Sequence, residues 1–516
     1  MTDRCLRWYV ALGVVLLLGL VLRLRGIHDP ILDHPGWRQG DTAAIARNFA
    51  TLDINPFHPQ TDYNGPPPNY VELELQIVPY AAALLYKTFG VHEIFGRLIS
   101  VAFSLGTVAL CGFFARRLYA STTAGVVAAV AFAIYPGSVY YGRTFMPDST
   151  MTFFLTAALY ASWNWIVDDD AGFGRRFWVA AALTALAILA KPVAIVALAP
   201  VAAALVSRRG FATTVRAPQT YLFFGLALVP YAAYDAYVRA IAEWHWASGI
   251  TQLHVLPALR AAATSFTAFR HKLGLMRSVL DLLAATMLGS WGISLFVAAI
   301  LVPVQRMSRA LLWTWLAAVL AYAFVVVTVE RVDYYLYPFL PLAAIWTGGF
   351  ADALARSLPS LTARRVVTAA AAVIAISALV SGRKAVAPYY HYSKLVYRQA
   401  KALDATLAPG ALIVMGHYDP SVLYYIDRKG WEEDPYLWTP FDEQSAIRKG
   451  ARYFVAIEPR RLRRNVELYA WLQRFPQSNA NARWPVYETE TGKVVPGAEE
   501  RWRAFRRAEK AGKLIE

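Results

Sequence analysis

Long apolar runs separated by short polar or basic breaks recur along the first 380 residues and then largely stop. A membrane span needs about 20 apolar residues to cross roughly 30 Å of hydrocarbon. On that measure the pattern predicts eleven spans, at 7–27, 97–115, 122–140, 149–167, 177–190, 193–206, 218–241, 284–304, 310–329, 336–354 and 366–382. Two of these, 177–190 and 193–206, are too short to cross alone at about 1.5 Å per residue. Their junction, Lys191-Pro192, is therefore expected at an intramembrane cavity, because interrupted helices at membrane depth need protein or water around them. Within the long first loop, 28–96, Pro79 to Phe89 is apolar but also too short, and reads as an interfacial helix. Beyond 382 the pattern changes: Ala411 to Gly416 and Arg452 to Ile457 read as buried strands, with a helix starting at Pro420 and a basic, weakly ordered terminus after about 490. The fold class is an all-α polytopic membrane protein of about 11 transmembrane helices (1–382) followed by a small C-terminal α/β soluble domain (383–516).

Composition agrees. Of 516 residues 57% are hydrophobic and 17% charged, against about a quarter charged in soluble proteins, which excludes a soluble enzyme, a disordered chain and a coiled coil. Lys plus Arg number 51 against 35 Asp plus Glu. That excess would suggest nucleic acid in a soluble protein. Here Arg116-Arg117, Arg175-Arg176, Arg208-Arg209 with Arg216, Arg306 with Arg309, and Arg364-Arg365 fall in alternate loops, as topology signals do. They place the N-terminus in the cytoplasm and the tail outside, and no nucleic-acid partner is expected. Cys5 and Cys111 lie in or beside spans, which excludes a disulfide framework in the exposed parts. Trp8 to Leu22 is followed by Arg23-Leu24-Arg25 with no small-residue cleavage site, so it reads as an uncleaved first helix.

The polar residues of the outer loops carry the candidate chemistry. The first loop holds Arg38, Asp41, Asp53, Asp62, Glu72 and Glu74. Asp41 precedes a helical segment, Thr42 to Ala50, and reads either as its N-cap or as a general base or metal-binding carboxylate at the membrane boundary. Asp148 has the same two readings in the second outer loop. Arg143, five residues before it, is either its partner or a second group facing a charged ligand, because an unpaired charge near a span costs on the order of 3 kcal/mol. Lys191 either snorkels or faces a ligand. Arg331 stands before Tyr334-Tyr335, at the outer end of a span where tyrosines also form an ordinary aromatic belt. Cations suit a phosphate, and carboxylates suit a base or a metal. Together they suggest a lipid-phosphate ligand.

These pieces in order also resemble a known family. Leu22-Arg23-Leu24, Asp41, Phe89-Gly90 with Arg97-Leu98, Arg143 with Pro147-Asp148, Leu189-Ala190-Lys191, and Tyr334 to Pro341 together resemble the GT-C superfamily of integral-membrane glycosyltransferases. The likeness covers about residues 7–350, and the branch is glycosyltransferase family 39, with the protein O-mannosyltransferases and the lipid A aminoarabinose transferase. The resemblance implies a bacterial inner-membrane enzyme of GT-C fold with a periplasmic active site and tail. Its donor would be a polyprenyl-phosphate (undecaprenyl-phosphate) sugar and its acceptor a lipid, glycan or protein of the cell envelope. Asp41 would be the catalytic carboxylate and Asp148 a second acid. Lys191, Arg143 and Arg331 would hold the donor phosphate, and Arg38, Glu74, Tyr334 and Tyr335 would contact substrate. No cofactor is implied beyond a divalent cation, whose use varies in the superfamily and which Asp41 and Asp148 would bind. The mannosyltransferases carry Asp-Glu where this chain has Asp41-Thr42, which argues against protein O-mannosylation itself.

Two other readings compete. A flippase or transporter of lipid-linked glycans should place polar residues on both halves of its spans, whereas these gather on one side. An O-antigen ligase would use a late outer loop, here 243–283 with Trp244-His245-Trp246 and His254, residues that also suit interfacial anchoring.

Overall fold

The computed structural model describes residues 3–302, 306–478, 483–490 and 494–510. They form two compact units: Met1–His28, Glu72–Ile241 and His245–Tyr390 in one, and Asp29–Val71, Ala242–Trp244 and His391–Glu516 in the other. The division does not follow the chain, because most of the long loop 28–96 joins the C-terminal segment.

The first unit is helical. Among the described residues six helices are long and apolar enough to cross a membrane: Cys5–Arg23, Glu93–Tyr119, Pro192–Arg209, Pro218–Ile241, Met307–Glu330 and Leu361–Ala385. A seventh arises if Phe266–Met287 and Gly289–Ile300, bent by 115°, form one broken span. Pro192–Arg209 corrects the expectation that 193–206 is too short, because the helical segment starts at Pro192 and runs on to Arg209. The other expected spans are helices too, but Thr122–Ile134 and Arg175–Ala190 are shorter and Asp148–Asp168 and Leu340–Ser357 more polar. The short apolar stretch Pro79 to Phe89 lies in the helix Ile77–Phe89. The segment 243–283, read as a loop, contains the helices Leu256–Thr264 and Phe266–Leu282. Phe266, Phe269 and Leu273 do recur at helical spacing there, but Arg270, His271 and Lys272 between them, and Arg277 beyond, dilute the apolar signal.

Arg23 shows how this unit accommodates a buried charge. It is fully buried, yet Nε donates to Ser104 Oγ (2.8 Å), Nη2 to Ser138 Oγ (2.7 Å), and Nη1 to the carbonyls of Gly19 and Ala133 (3.0 and 3.2 Å). A donor without an acceptor at this depth would cost several kcal/mol.

The second unit is α/β. Lys429–Glu432, Leu412–Met415 and Ala451–Val455 run parallel, and Val486–Glu488 and Gln477–Ser478 extend the sheet antiparallel. Val414, Phe454, Trp471, Leu472 and Tyr487 pack at its core. The expected helix from Pro420 is present as Pro420–Ile426. The terminus differs from its expected weak order, since Ala498–Lys510 is a helix. Trp502 packs on the core and Arg506 pairs with Glu467 (2.6 Å), contacts that outweigh a very polar local sequence.

The first-loop segment belongs to this unit by direct contact. Gly65 N–H donates to the Gly430 carbonyl (2.7 Å), and Gly430 N–H to the Asp62 carbonyl (3.0 Å). The helix Gly36–Thr51 lies against Pro420–Ile426 so closely that a Cβ on Gly40 would sit 2.5 Å from Ser421 Cα. Backbone cannot yield as a side chain can, so Gly40→Val is expected to cost about 3 kcal/mol. Scanning fluorimetry of the purified variant should show a lower transition, and an unchanged profile would count against this packing.

Candidate functional site

In the second unit the site grows from the helix Gly36–Thr51. It begins at Gly36, not Thr42, behind a Pro35 that makes no side-chain cap. Asp41 is thus more than a turn inside the helix, and the N-cap reading fails because its neighbours already donate within the helix. Asp41 is 3% exposed, and its Oδ1 has no hydrogen-bond partner among the described residues. Burial raises its pKa to about 7; Arg38 and a hydrogen bond with Tyr63 oppose the rise, and Asp419 and Asp62 add to it. Asp62, also buried, is held at about 2, because Arg47, Lys429 and Asn48 outweigh its own desolvation. Arg47 Nη2 and Lys429 Nζ stand 2.5 and 2.7 Å from its two oxygens. Glu432 is pushed well above the usual carboxylate range by burial, then by Asp41 and Asp419. Two carboxylates in one neighbourhood are thus driven apart, one fixed as an anion and one able to take a proton near neutrality.

In the first unit the centre is an ion pair. Asp148 opens the helix Asp148–Asp168 behind Pro147, so it does not cap it. Its Oδ1 accepts from Lys191 Nζ at 2.7 Å, and its Oδ2 is buried with no hydrogen-bond partner among the described residues. Lys191 follows the end of the helix Arg175–Ala190 in extended conformation, before the 3-10 turn Pro192–Ala197. Its side chain is only 13% exposed, so it does not snorkel. The ammonium lies 5.1 and 4.9 Å from the ring centres of Tyr334 and Tyr335, a range in which cation–π attraction operates.

Asp148, Lys191, Tyr334 and Tyr335 therefore come together; the other residues of this unit do not join them directly. Arg143 is buried, donates to the Gly26 carbonyl (3.2 Å) and stacks over Tyr140 and Tyr390 (4.8 and 4.4 Å). The partner expected for it, Asp148, is taken by Lys191. A chain of rings from Tyr140 through Tyr141 to Tyr334, 5.2 and 5.9 Å between centres, links Arg143 to the ion pair. Arg331 is exposed, in a left-handed conformation (φ 50°), and makes no ion pair among the described residues. The residue that organises this stretch is Asp333, which sequence reasoning passed over: it accepts from Tyr141 Oη (2.6 Å) and Tyr389 Oη (2.5 Å). An acid buried inside an aromatic belt was the available signal. Glu74 is buried, its carbonyl accepting from Tyr234 Oη (3.3 Å). The Glu72 carboxylate is occupied by Ser248 Oγ (2.5 Å), Arg239 Nε (3.0 Å) and His245 Nδ1 (3.4 Å). His254 Nδ1 lies 2.9 Å from Glu330. Both histidines of the competing late-loop site thus stand against carboxylates.

Asp41 and Arg38 belong to one unit, and Asp148 and Lys191 to the other. Among the described residues no group of three or more His, Cys, Asp or Glu side chains is placed to hold a metal ion.

Residues 76–234 match the family model for dolichyl-phosphate-mannose-protein mannosyltransferase. That span includes Arg143, Asp148 and Lys191. No curated protein matches the chain in sequence. The structure is similar to ArnT from Cupriavidus metallidurans bound to undecaprenyl phosphate: TM-score 0.60 and 14% identity, over 96% of this chain and 100% of that one. The apo state of the same protein matches with TM-score 0.61, 14% identity and the same coverage.

Proposed function

We propose that this chain, a multi-pass membrane protein with the GT-C fold, transfers a sugar from a polyprenyl-phosphate donor to an acceptor hydroxyl of the cell envelope. The observation that carries the reading is Asp41, a buried carboxylate with an unpartnered oxygen and a pKa of about 7. A general base works best when its pKa lies near the operating pH. Asp41 takes the acceptor's hydroxyl proton, and the acceptor oxygen attacks the anomeric carbon. The bond from that carbon to the phosphate oxygen breaks, and the lipid phosphate leaves with the electron pair. One displacement inverts the configuration. Lys191, oriented by Asp148 and the two tyrosine rings, serves the phosphate, where its charge opposes the negative charge growing on the leaving oxygen. The undecaprenyl phosphate bound to ArnT supports a lipid of that class as donor here, and the match over residues 76–234 supports a lipid-phosphate sugar. A bacterial inner-membrane location with the site facing the periplasm fits the loop charges.

The test offers radiolabelled polyprenyl-phosphate sugars one at a time to the purified full chain in native membrane extract. Label should pass covalently to an acceptor from at least one donor. Movement of labelled lipid across vesicles without covalent transfer would replace this reading with a transporter. The pH dependence follows from the base. Asp41 acts only when ionised, so kcat/KM should rise about tenfold per pH unit below 7 and level off above it. A profile flat from pH 5 to 8 would remove Asp41 from the role.

A further inference from the structure

A groove in the first unit encloses about 740 Å³, including its open mouth, and shares no lining residue with the Asp148–Lys191 pair. Its walls are apolar, with Leu22, Val139 and Leu379 among them, and Arg25, Arg383 and Tyr390 stand along it. Arg25 stacks on the Tyr390 ring at 4.2 Å. Arg25 and Arg383 are exposed, and neither makes an ion pair or hydrogen bond among the described residues. Two guanidinium groups with no anionic partner among the described residues therefore border an apolar slot. The helices on either side are bare: Val14, Leu17 and Val21 on Asp3–Arg23, and Val373, Ile376 and Val380 on Leu361–Ala385, are each more than half exposed. Apolar surface of that extent on a membrane protein faces lipid.

We infer that this groove is a binding site for an anionic phospholipid of the surrounding bilayer. One acyl chain occupies the slot, and the headgroup phosphate lies between Arg25 and Arg383. Basic pockets between membrane helices select anionic headgroups in this way, and a guanidinium presents two parallel donors to phosphate. The occupant is bilayer lipid because the slot opens between two sparsely covered membrane helices, and because none of the groups assigned above to the sugar donor lines it. The inference stands apart from the proposed transfer reaction.

The experiment titrates phosphatidylglycerol, phosphatidylcholine or inorganic phosphate into the delipidated full chain in detergent. It follows the thermal transition, and native mass spectrometry counts retained lipid. Wild type should retain phosphatidylglycerol and be stabilised by it, but not by phosphatidylcholine or phosphate alone. Arg25→Gln with Arg383→Gln should weaken phosphatidylglycerol about thirtyfold, each arginine near the surface contributing on the order of 1 kcal/mol. Should that pair fail to fold, Leu379→Trp fills the slot from its apolar wall and should abolish the same stabilisation. Equal stabilisation by phosphatidylcholine or by inorganic phosphate would overturn the assignment. So would an undiminished phosphatidylglycerol effect in the arginine pair or in Leu379→Trp. Displacement of phosphatidylglycerol by an equimolar polyprenyl phosphate would also overturn it, by giving the groove to the donor.

Discussion

Asp41→Asn is expected to lower sugar transfer by about 10²- to 10⁴-fold, the usual contribution of a positioned base, in a protein that remains folded. Asparagine keeps the shape and a hydrogen-bonding oxygen but cannot accept the acceptor's proton. Stability should move in the opposite direction from activity. The folded carboxyl titrates at about 7, above its ordinary 3.8, so the fold favours the neutral acid. That contribution is complete below about pH 4 and is lost as pH rises through 7, with a limit of roughly 4 kcal/mol between those values. At pH 8 the wild type keeps a buried anion that the variant lacks. The thermal transition of Asp41→Asn should therefore lie at or above that of wild type at pH 8, and near it at pH 5. Transfer within tenfold of wild type, in a variant with that stability, would end the assignment of Asp41 as base.

Lys191→Met should give a different pattern. It leaves the Asp148 carboxylate buried without its counter-charge, and removing one member of such a pair typically costs about 3–5 kcal/mol. The thermal transition should fall, and KM for the lipid donor should rise by tenfold or more. Adding Asp148→Asn removes the stranded charge. The double variant should recover most of the lost stability and none of the lost donor affinity. If affinity returned together with stability, Lys191 would be a structural partner of Asp148 and nothing more.

Much of the membrane portion was legible because it rests on one strong term. Each apolar run between basic breaks is a helix, and the break at Lys191-Pro192 falls at the expected residue, since proline cannot continue the helix before it. Composition alone hid the helices within 243–283, where charges interleave with the apolar stripe. It also hid the short length of Thr122–Ile134 and made 193–206 look too short, where the helix Pro192–Arg209 is long and apolar enough to cross. At the candidate site the residue types were readable and their partners were not. Lys191 and Asp148 stand 43 positions apart, and no local rule chooses between Arg143 and Lys191 as the counter-ion. Asp41 looked like a cap because the turn before it, His34-Pro35-Gly36-Trp37, is rich in residues that usually end helices. Asp419, which helps set its titration, lies some 380 residues downstream, beyond the reach of any pattern.

That separation bears on how the protein is made. The amide of Ile31 bonds the hydroxyl of Tyr425 (2.9 Å), and the helix bearing Asp41 rests on Pro420–Ile426. A ribosome finishes the Asp41 helix early, yet the surface that receives it, Pro420–Ile426, emerges only some 380 residues later, after the membrane helices. Until that surface arrives this carboxylate lacks the burial that lifts its titration, so the newborn chain acquires its base only after its membrane helices are made.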